Sequence, residues 1–199
     1  MRYFFIILMS LSLLTTARAE DPLPRESQVR PVSTYSIVAR DPETGELGVA
    51  VQSHWFSVGA LVPWARAGVG AVATQSMVEV SYGPDGLDLM AQGYDAISVL
   101  SNLLEKDERQ DIRQVAMVDA NGNAVAHTGA NCIPEAGHKV GQGYSVQANL
   151  MGPDTVPEAM AAAFENTRGP LAERMVAALA AAEREGGDIR GRQSAAILV

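Results

Sequence analysis

TYSIVARDPETGELGVAVQSHWFSVGALVPWARAGVGAVATQ, residues Thr34–Gln75, decides the fold of this chain. It reads as three consecutive strands. Tyr35–Ala39 alternates and ends at a turn, Asp41–Gly45, where Pro42 suits the second turn position and Gly45 accepts a positive φ. Leu47–Gln52 returns from that turn, and Gly68–Thr74 is a third, nearly polar-free run. Gly68 and Gly70 leave one face of that run bare, so another layer or a ligand can approach its backbone. A strand that opens on a hydroxyl residue and pairs at once can present that residue as a nucleophile. An ordinary sandwich strand has the same look.

Upstream, Arg2, the apolar run Phe4–Leu14 and Ala17-Arg18-Ala19 have the form of a secretory signal peptide over residues 1–19. Its apolar run is too short to span a bilayer, and no later stretch reaches about 18 unbroken apolar residues. Residues 20–33, with Pro22, Pro24 and Arg30-Pro31 and no apolar periodicity, form a flexible leader or propeptide. Residues 34–199 are expected to make one domain with one substantial core. Loss of Arg2 and Arg18 from 15 basic residues leaves 13 against 23 acidic ones, a formal charge of -10. That balance disfavours nucleic acid and anionic membrane surfaces as partners. Cys132 is the only cysteine, so no intrachain disulfide can form, and a buried small side chain is the expected role.

Downstream, short helices are expected at Gly86–Gly93 and at Asp95–Lys106, the second capped by Asp95. Ile112–Asp119 and Asn123–Thr128 make a hairpin about Asn121-Gly122, Gly129–Gly143 is loop-like, and Tyr144–Leu150 is a strand. Thr155-Val-Pro-Glu158 has the pattern of a capping box opening a helix that runs through Phe164. A second helix spans Pro170–Glu185, with Leu171, Met175, Ala178 and Ala182 as one stripe, and Ser194–Val199 closes the chain as a strand. This order is α+β. One helix pair cannot cover both outer faces of two stacked sheets, and the 86–106 block supplies another layer. Four layers are therefore expected, with a two-layer sandwich the simpler alternative.

With these segments laid out, the chain resembles the DUF1028 family, bacterial and archaeal proteins of unknown function grouped by similarity with the N-terminal-nucleophile (Ntn) hydrolases. The resemblance rests on residues 34–53, 58–75, SYGPDGL (81–87), AMVDANG (116–122), TGANC (128–132), AGHKVGQGYSVQANLM (136–151) and GGDIRGRQSAAILV (186–199). It implies a four-layer αββα sandwich over residues 34–199 and names no substrate. Many relatives begin near the residue matching Thr34, whereas fourteen residues, Glu20–Ser33, precede it here. Relatives also continue past the position of Val199, which implies an incomplete sheet edge or a fragment, and Ala148 stands where they often carry Gly.

The resemblance makes Thr34 the expected nucleophile. Its hydroxyl would attack a carbonyl while its own α-amine, of unperturbed pKa about 7.7–8.0, takes the proton. This requires a cut before Thr34. Ser33 and Ser36 are weaker alternatives, and Ser36 shares the face of Thr34. Arg66 lies where Ntn hydrolases commonly place a basic residue beside the nucleophile, with packing beneath Trp64 or pairing with a structural acid as the alternative, and Ser53 is placed to orient the amine. His54 is expected in a pocket wall or as a surface anchor, Thr74 and Gln75 in an oxyanion site, and His138 and Asn149 in a substrate pocket. No zinc is expected, since His54, His127 and His138 are widely spaced and lack HxH or HxxxH patterns. Gly68-Val-Gly70 is no dinucleotide fingerprint, because Ala73 stands at the third glycine position. No cofactor is expected.

The sequence thus points to an exported hydrolase, secreted or periplasmic, acting on an amide or related C–N bond. A small-molecule or peptide-like substrate is its expected partner, and a homo-oligomer is compatible with the sequence. A non-catalytic envelope module that keeps the sandwich is the rival reading. A hydrolase working through Ser53 or Cys132 is a third.

Overall fold

The computed structural model describes residues 34–199, so the expected signal peptide and leader lie outside the described residues. Among these described residues it is a mixed α+β fold of two sheets and four α-helices. In chain order come β1 (Thr34–Arg40), β2 (Leu47–Ser53), β3 (Pro63–Arg66), β4 (Gly70–Ser76), α1 (Tyr82–Ala91) and α2 (Ala96–Lys106). Then follow β5 (Arg113–Asp119), β6 (Ala124–Thr128), β7 (Gly137–Gly141), β8 (Tyr144–Asn149), α3 (Val156–Asn166), α4 (Leu171–Arg184) and β9 (Ser194–Leu198). One sheet has the order β7-β8-β1-β2-β9, the other β3-β4-β5-β6, and every pairing in them is antiparallel. The first strand of the domain is therefore the middle strand of the larger sheet.

The hairpin β1–β2 closes as its sequence requires. The Asp41 carboxylate accepts from the Glu43 and Thr44 N–H groups at 2.8 and 3.1 Å, and Gly45 takes φ 79°. The next segment differs from expectation. Pro63–Arg66 forms the additional strand β3, Gly68 sits in the turn after it at φ 69°, and β4 begins only at Gly70. A Cβ on Gly70 would lie 2.7 Å from the Val118 carbonyl oxygen and 2.8 Å from Met90 Cε. Of the two expected neighbours of its bare face, another layer or a ligand, it is a layer that approaches: Met90 of helix α1 packs there.

Three further expectations change. Helix α1 begins at Tyr82, because Pro84 falls in its first turn, where a missing N–H costs nothing. The supposed loop 129–143 contains β7, which pairs with β8. Thr155 makes no capping bond; its hydroxyl donates to Glu185 at 3.1 Å, and Glu158 pairs with Lys139 instead of reaching back. Asp95 does cap α2, accepting from the Ser98 N–H at 2.9 Å.

Strand alternation distributes the core into three apolar clusters. Tyr35, Ile37, Ala39, Val146 and Ala148 pack under Met160, Phe164, Leu171 and Met175 of α3 and α4. Val72, Val115 and Met117 pack under Leu87, Met90, Val99 and Leu100 of α1 and α2. The alternate residues Val38, Val49, Val51, Ala71, Ala73, Ala116 and Val118 meet between the sheets. Each large side chain so buried contributes about 1.5–3 kcal/mol. The space between the sheets is apolar at one end only. At the other, where β1 begins, the same alternation brings in Thr34, Ser36, Ser53, Gln75, Gln114, Ser145, Gln147 and Asn149, all buried.

Candidate functional site

Thr34 is the first residue of β1 and is flanked in register by Ser53 of β2 and Asn149 of β8. All three are fully buried on the face turned to the second sheet. The Thr34 hydroxyl donates to Ser53 Oγ at 3.2 Å. Across the gap, Gln75 Nε2 donates to the Thr34 carbonyl at 3.3 Å and to Gln114 Oε1 at 2.7 Å.

The surrounding hydrogen bonds run in one direction. Ser145 Oγ donates to Gln147 Oε1 at 3.1 Å, Gln147 Nε2 to Ser36 Oγ at 2.5 Å, and Ser36 Oγ to Gln75 Oε1 at 2.6 Å. Gln75 passes the direction to Gln114, whose Nε2 lies 3.0–3.1 Å from Thr128 Oγ1 and the Gly137 and Ala148 carbonyls. Gln114 Oε1 also accepts from Asn149 Nδ2 at 3.0 Å. Each amide is thereby oriented by its neighbours, because turning any one would set oxygen against oxygen. In a low-dielectric interior such a network fixes geometry, since a broken link strands a buried polar group.

The backbone leading into and out of this end is conformationally unusual. Ser76 and Leu150, immediately beyond β4 and β8, have φ of 68° and 58° without being glycine. Such residues cost on the order of 1–3 kcal/mol and concentrate at functional sites. Among the described residues, the buried Asn149 Oδ1 and both amide atoms of Gln52 have no hydrogen-bond partner. These groups all stand at the end of the strands where β1 begins.

The expected site residues divide into two groups. Thr34, Ser53, Gln75 and Asn149 are brought together. Arg66 is not: it lies on β3 opposite Gly70, five residues along β4 from Gln75, or roughly 17 Å. Its guanidinium reaches Asp88 at 2.8 Å and the Leu87 carbonyl at 3.4 Å on α1, so it serves the sheet–helix contact. Thr74 is also turned away. Its hydroxyl donates to the Glu79 carbonyl and its N–H to the Val62 carbonyl, both at 3.1 Å, which removes both donors from an oxyanion site.

His54 is half-buried, with its N–H donated to Asp188 Oδ2 at 3.1 Å and its Nδ1 unpartnered. His138 is exposed on β7 and meets the network only through Thr128, whose Oγ1 lies 2.8 Å from His138 Nδ1. Desolvation, then the neighbouring His127, push its pKa below the usual histidine value. Burial raises the Cys132 thiol pKa, and its sulfur donates to the Arg113 carbonyl at 3.0 Å, which disfavours a thiolate nucleophile. Among the described residues no three His, Cys, Asp or Glu side chains converge as a metal site. No helix among them is long and apolar enough to cross a membrane.

The sequence reading missed Gln114, Ser145 and Gln147, and considered Ser36 only as a weaker nucleophile. The signal lay in Tyr144–Asn149, YSVQAN, where Ser, Gln and Asn occupy every second position. That period marks one polar face, and only the pairing of sheets shows that the face is buried.

The family model described as a family of unknown function, DUF1028, matches residues 34–199. The chain belongs to the DUF1028 family. A crystal structure of a DUF1028 protein from Silicibacter pomeroyi superposes with a TM-score of 0.78 at 31% sequence identity, covering 83% of this chain and 72% of that one. No curated protein matches the chain.

Proposed function

We propose that this DUF1028 protein is an exported N-terminal-nucleophile hydrolase that cleaves an amide or related C–N bond through Thr34. The observation that carries the reading is the position of Thr34. It opens the middle strand of the larger sheet, buried between Ser53 and Asn149 and facing the amide network of the second sheet. The order of helices, sheet, sheet and helices, which the three apolar clusters support, is the αββα layering of that superfamily.

In the full-length chain the Thr34 nitrogen is an amide and cannot act as a base. Removal of the residues up to Ser33, in or after export to a periplasmic or extracellular space, frees it. The Thr34 Oγ1 then attacks the substrate carbonyl, and its proton passes to the amine, directly or through a water. Collapse of the tetrahedral adduct expels the leaving amine, which takes that proton, and leaves an ester on Thr34. Water attacks the ester, the amine again relays a proton, and the acid departs. With Arg66 on the far side of β4, oxyanion stabilisation falls to N–H donors near Thr34.

The test is a panel of chromogenic acyl amides offered to protein whose first residue is Thr34. Turnover that Thr34→Ala abolishes, in a variant with unchanged unfolding, supports the reading. Turnover that persists in Thr34→Ala refutes it. A protein that binds panel members without turnover is the non-catalytic module.

A further inference from the structure

The Asn149 side chain was expected in a substrate pocket, but its donor is already committed. Asn149 Nδ2 donates to Gln114 Oε1 at 3.0 Å, and Gln114 cannot turn, because its own Nε2 is surrounded by Thr128 Oγ1 and the Gly137 and Ala148 carbonyls. Gln75 Nε2 presses on the same Gln114 oxygen at 2.7 Å. The Asn149 amide is thus held with its oxygen away from Gln114. That oxygen is buried in a residue of 0% exposure and has no partner among the described residues. A buried unsatisfied acceptor is costly, at about 1–3 kcal/mol, and calls for a donor.

The strand ladder identifies the group beside it. Arg40 N–H bonds to the Gly143 carbonyl at 2.8 Å, which continues the β1–β8 register beyond Ala39 and Tyr144. In an antiparallel pair, every second residue turns its N–H and C=O to the same neighbour. Counting back from Arg40 through Val38 and Ser36, Thr34 directs its backbone nitrogen to β8, at Asn149. A peptide nitrogen there has one hydrogen, which the ladder uses. A terminal ammonium has three and needs further acceptors.

We propose that Asn149 Oδ1 accepts a hydrogen bond from the α-amine of Thr34 once that amine is free, so Asn149 positions the base and Gln114 positions Asn149. The proposal rests on the Thr34 reading above. Its consequence is directional: the amine is held on the β8 side, and Ser53, on the β2 side, stands at the hydroxyl. The facing side chains Ser36, Gln75, Gln114 and Gln147 are uncharged. Charged groups on the flanking elements are paired elsewhere, Asp188 with Arg190 beside the His54 backbone N–H and Arg113 with Asp107 on the outer face of β5.

The test begins with the intact mass of the processed protein, then follows acylation of the Thr34 amine by acetic anhydride against pH, read on the N-terminal peptide. Asn149→Asp, which keeps the oxygen and adds a charge, is expected to raise the amine pKa by about 1–3 units. Asn149→Ala is expected to lower it. In the wild type, the Asn149 side-chain carbonyl carbon is expected to shift with the same midpoint as the amine in NMR, which serves if either variant fails to fold. A free Thr34 amine whose titration neither folded variant moves, or an Asn149 carbonyl that does not sense it, overturns the proposal and leaves Thr34 as nucleophile. A mass that retains residues before Thr34 overturns both.

Discussion

Replacing Gln114 by Leu keeps nearly the same volume and removes the hub of the network between the sheets. Gln114 Oε1 accepts from Gln75 Nε2 and Asn149 Nδ2 at 2.7 and 3.0 Å. Without it, Asn149 Nδ2 has no acceptor, and Gln75 Nε2 keeps only the longer contacts to the Thr34 and Gln147 carbonyls at 3.3 and 3.4 Å. One stranded donor and one weakened donor, at about 1–3 kcal/mol for a full loss, give a destabilisation of about 2–4 kcal/mol. That is a substantial part of the 5–15 kcal/mol that holds a typical domain together. Urea unfolding followed by circular dichroism measures it as a fall in midpoint at constant slope. Thr128→Val, which takes away only one of three acceptors around Gln114 Nε2, is the control and is expected to cost about 1 kcal/mol. A loss below about 1 kcal/mol for Gln114→Leu, or no larger than for Thr128→Val, would refute the claim that Gln114 holds the amides in place.

Two further outcomes follow from the scaffold. Gly70→Ala is expected to destabilise by about 1–3 kcal/mol, because its Cβ would meet the Val118 carbonyl and Met90, while Gly68→Ala meets nothing and incurs only its positive φ; equal midpoints in urea for Gly70→Ala and wild type would contradict this. Burial alone raises the Asp107 carboxyl, but the Arg113 guanidinium at 2.8 Å and hydrogen bonds from the Arg109 N–H and Tyr82 hydroxyl outweigh it and hold its pKa below the usual value. A depressed folded-state pKa gives stability that is present above the unfolded value of about 3.9 and is lost as pH falls through the folded one. Asp107→Asn is therefore expected to cost about 3 kcal/mol at pH 7, and the gap from wild type to close below about pH 4; a gap independent of pH would contradict the pairing.

The fold was legible where a local rule decided it. Asp41–Gly45 dictated its hairpin, Asp95 its helix start, and the Leu171, Met175, Ala178 stripe the buried face of α4. It was not legible where tertiary packing overruled the local pattern. Pro63–Arg66 is short and carries a proline, yet becomes a strand by pairing with β4; Gly137–Gly141 becomes one by pairing with β8.

The candidate site divides along the same line. Thr34 could be placed at the head of a strand because that position is a matter of sequence. Gln114 and Gln147 were not, because a polar residue at every second position ordinarily faces water, and here a second sheet replaces the water. For Arg66 the structure takes the alternative of pairing with a structural acid, and the sequence could not name that acid, because Asp88 lies 22 residues away on a helix.

The most direct test of the account is the mass and N-terminal sequence of the full-length chain recovered after export from a bacterial host. The account predicts a homogeneous protein whose first residue is Thr34, with the leader removed in the wild type. A stable protein that begins at Glu20, or at any residue before Thr34, would leave the Thr34 nitrogen an amide and contradict the proposed chemistry.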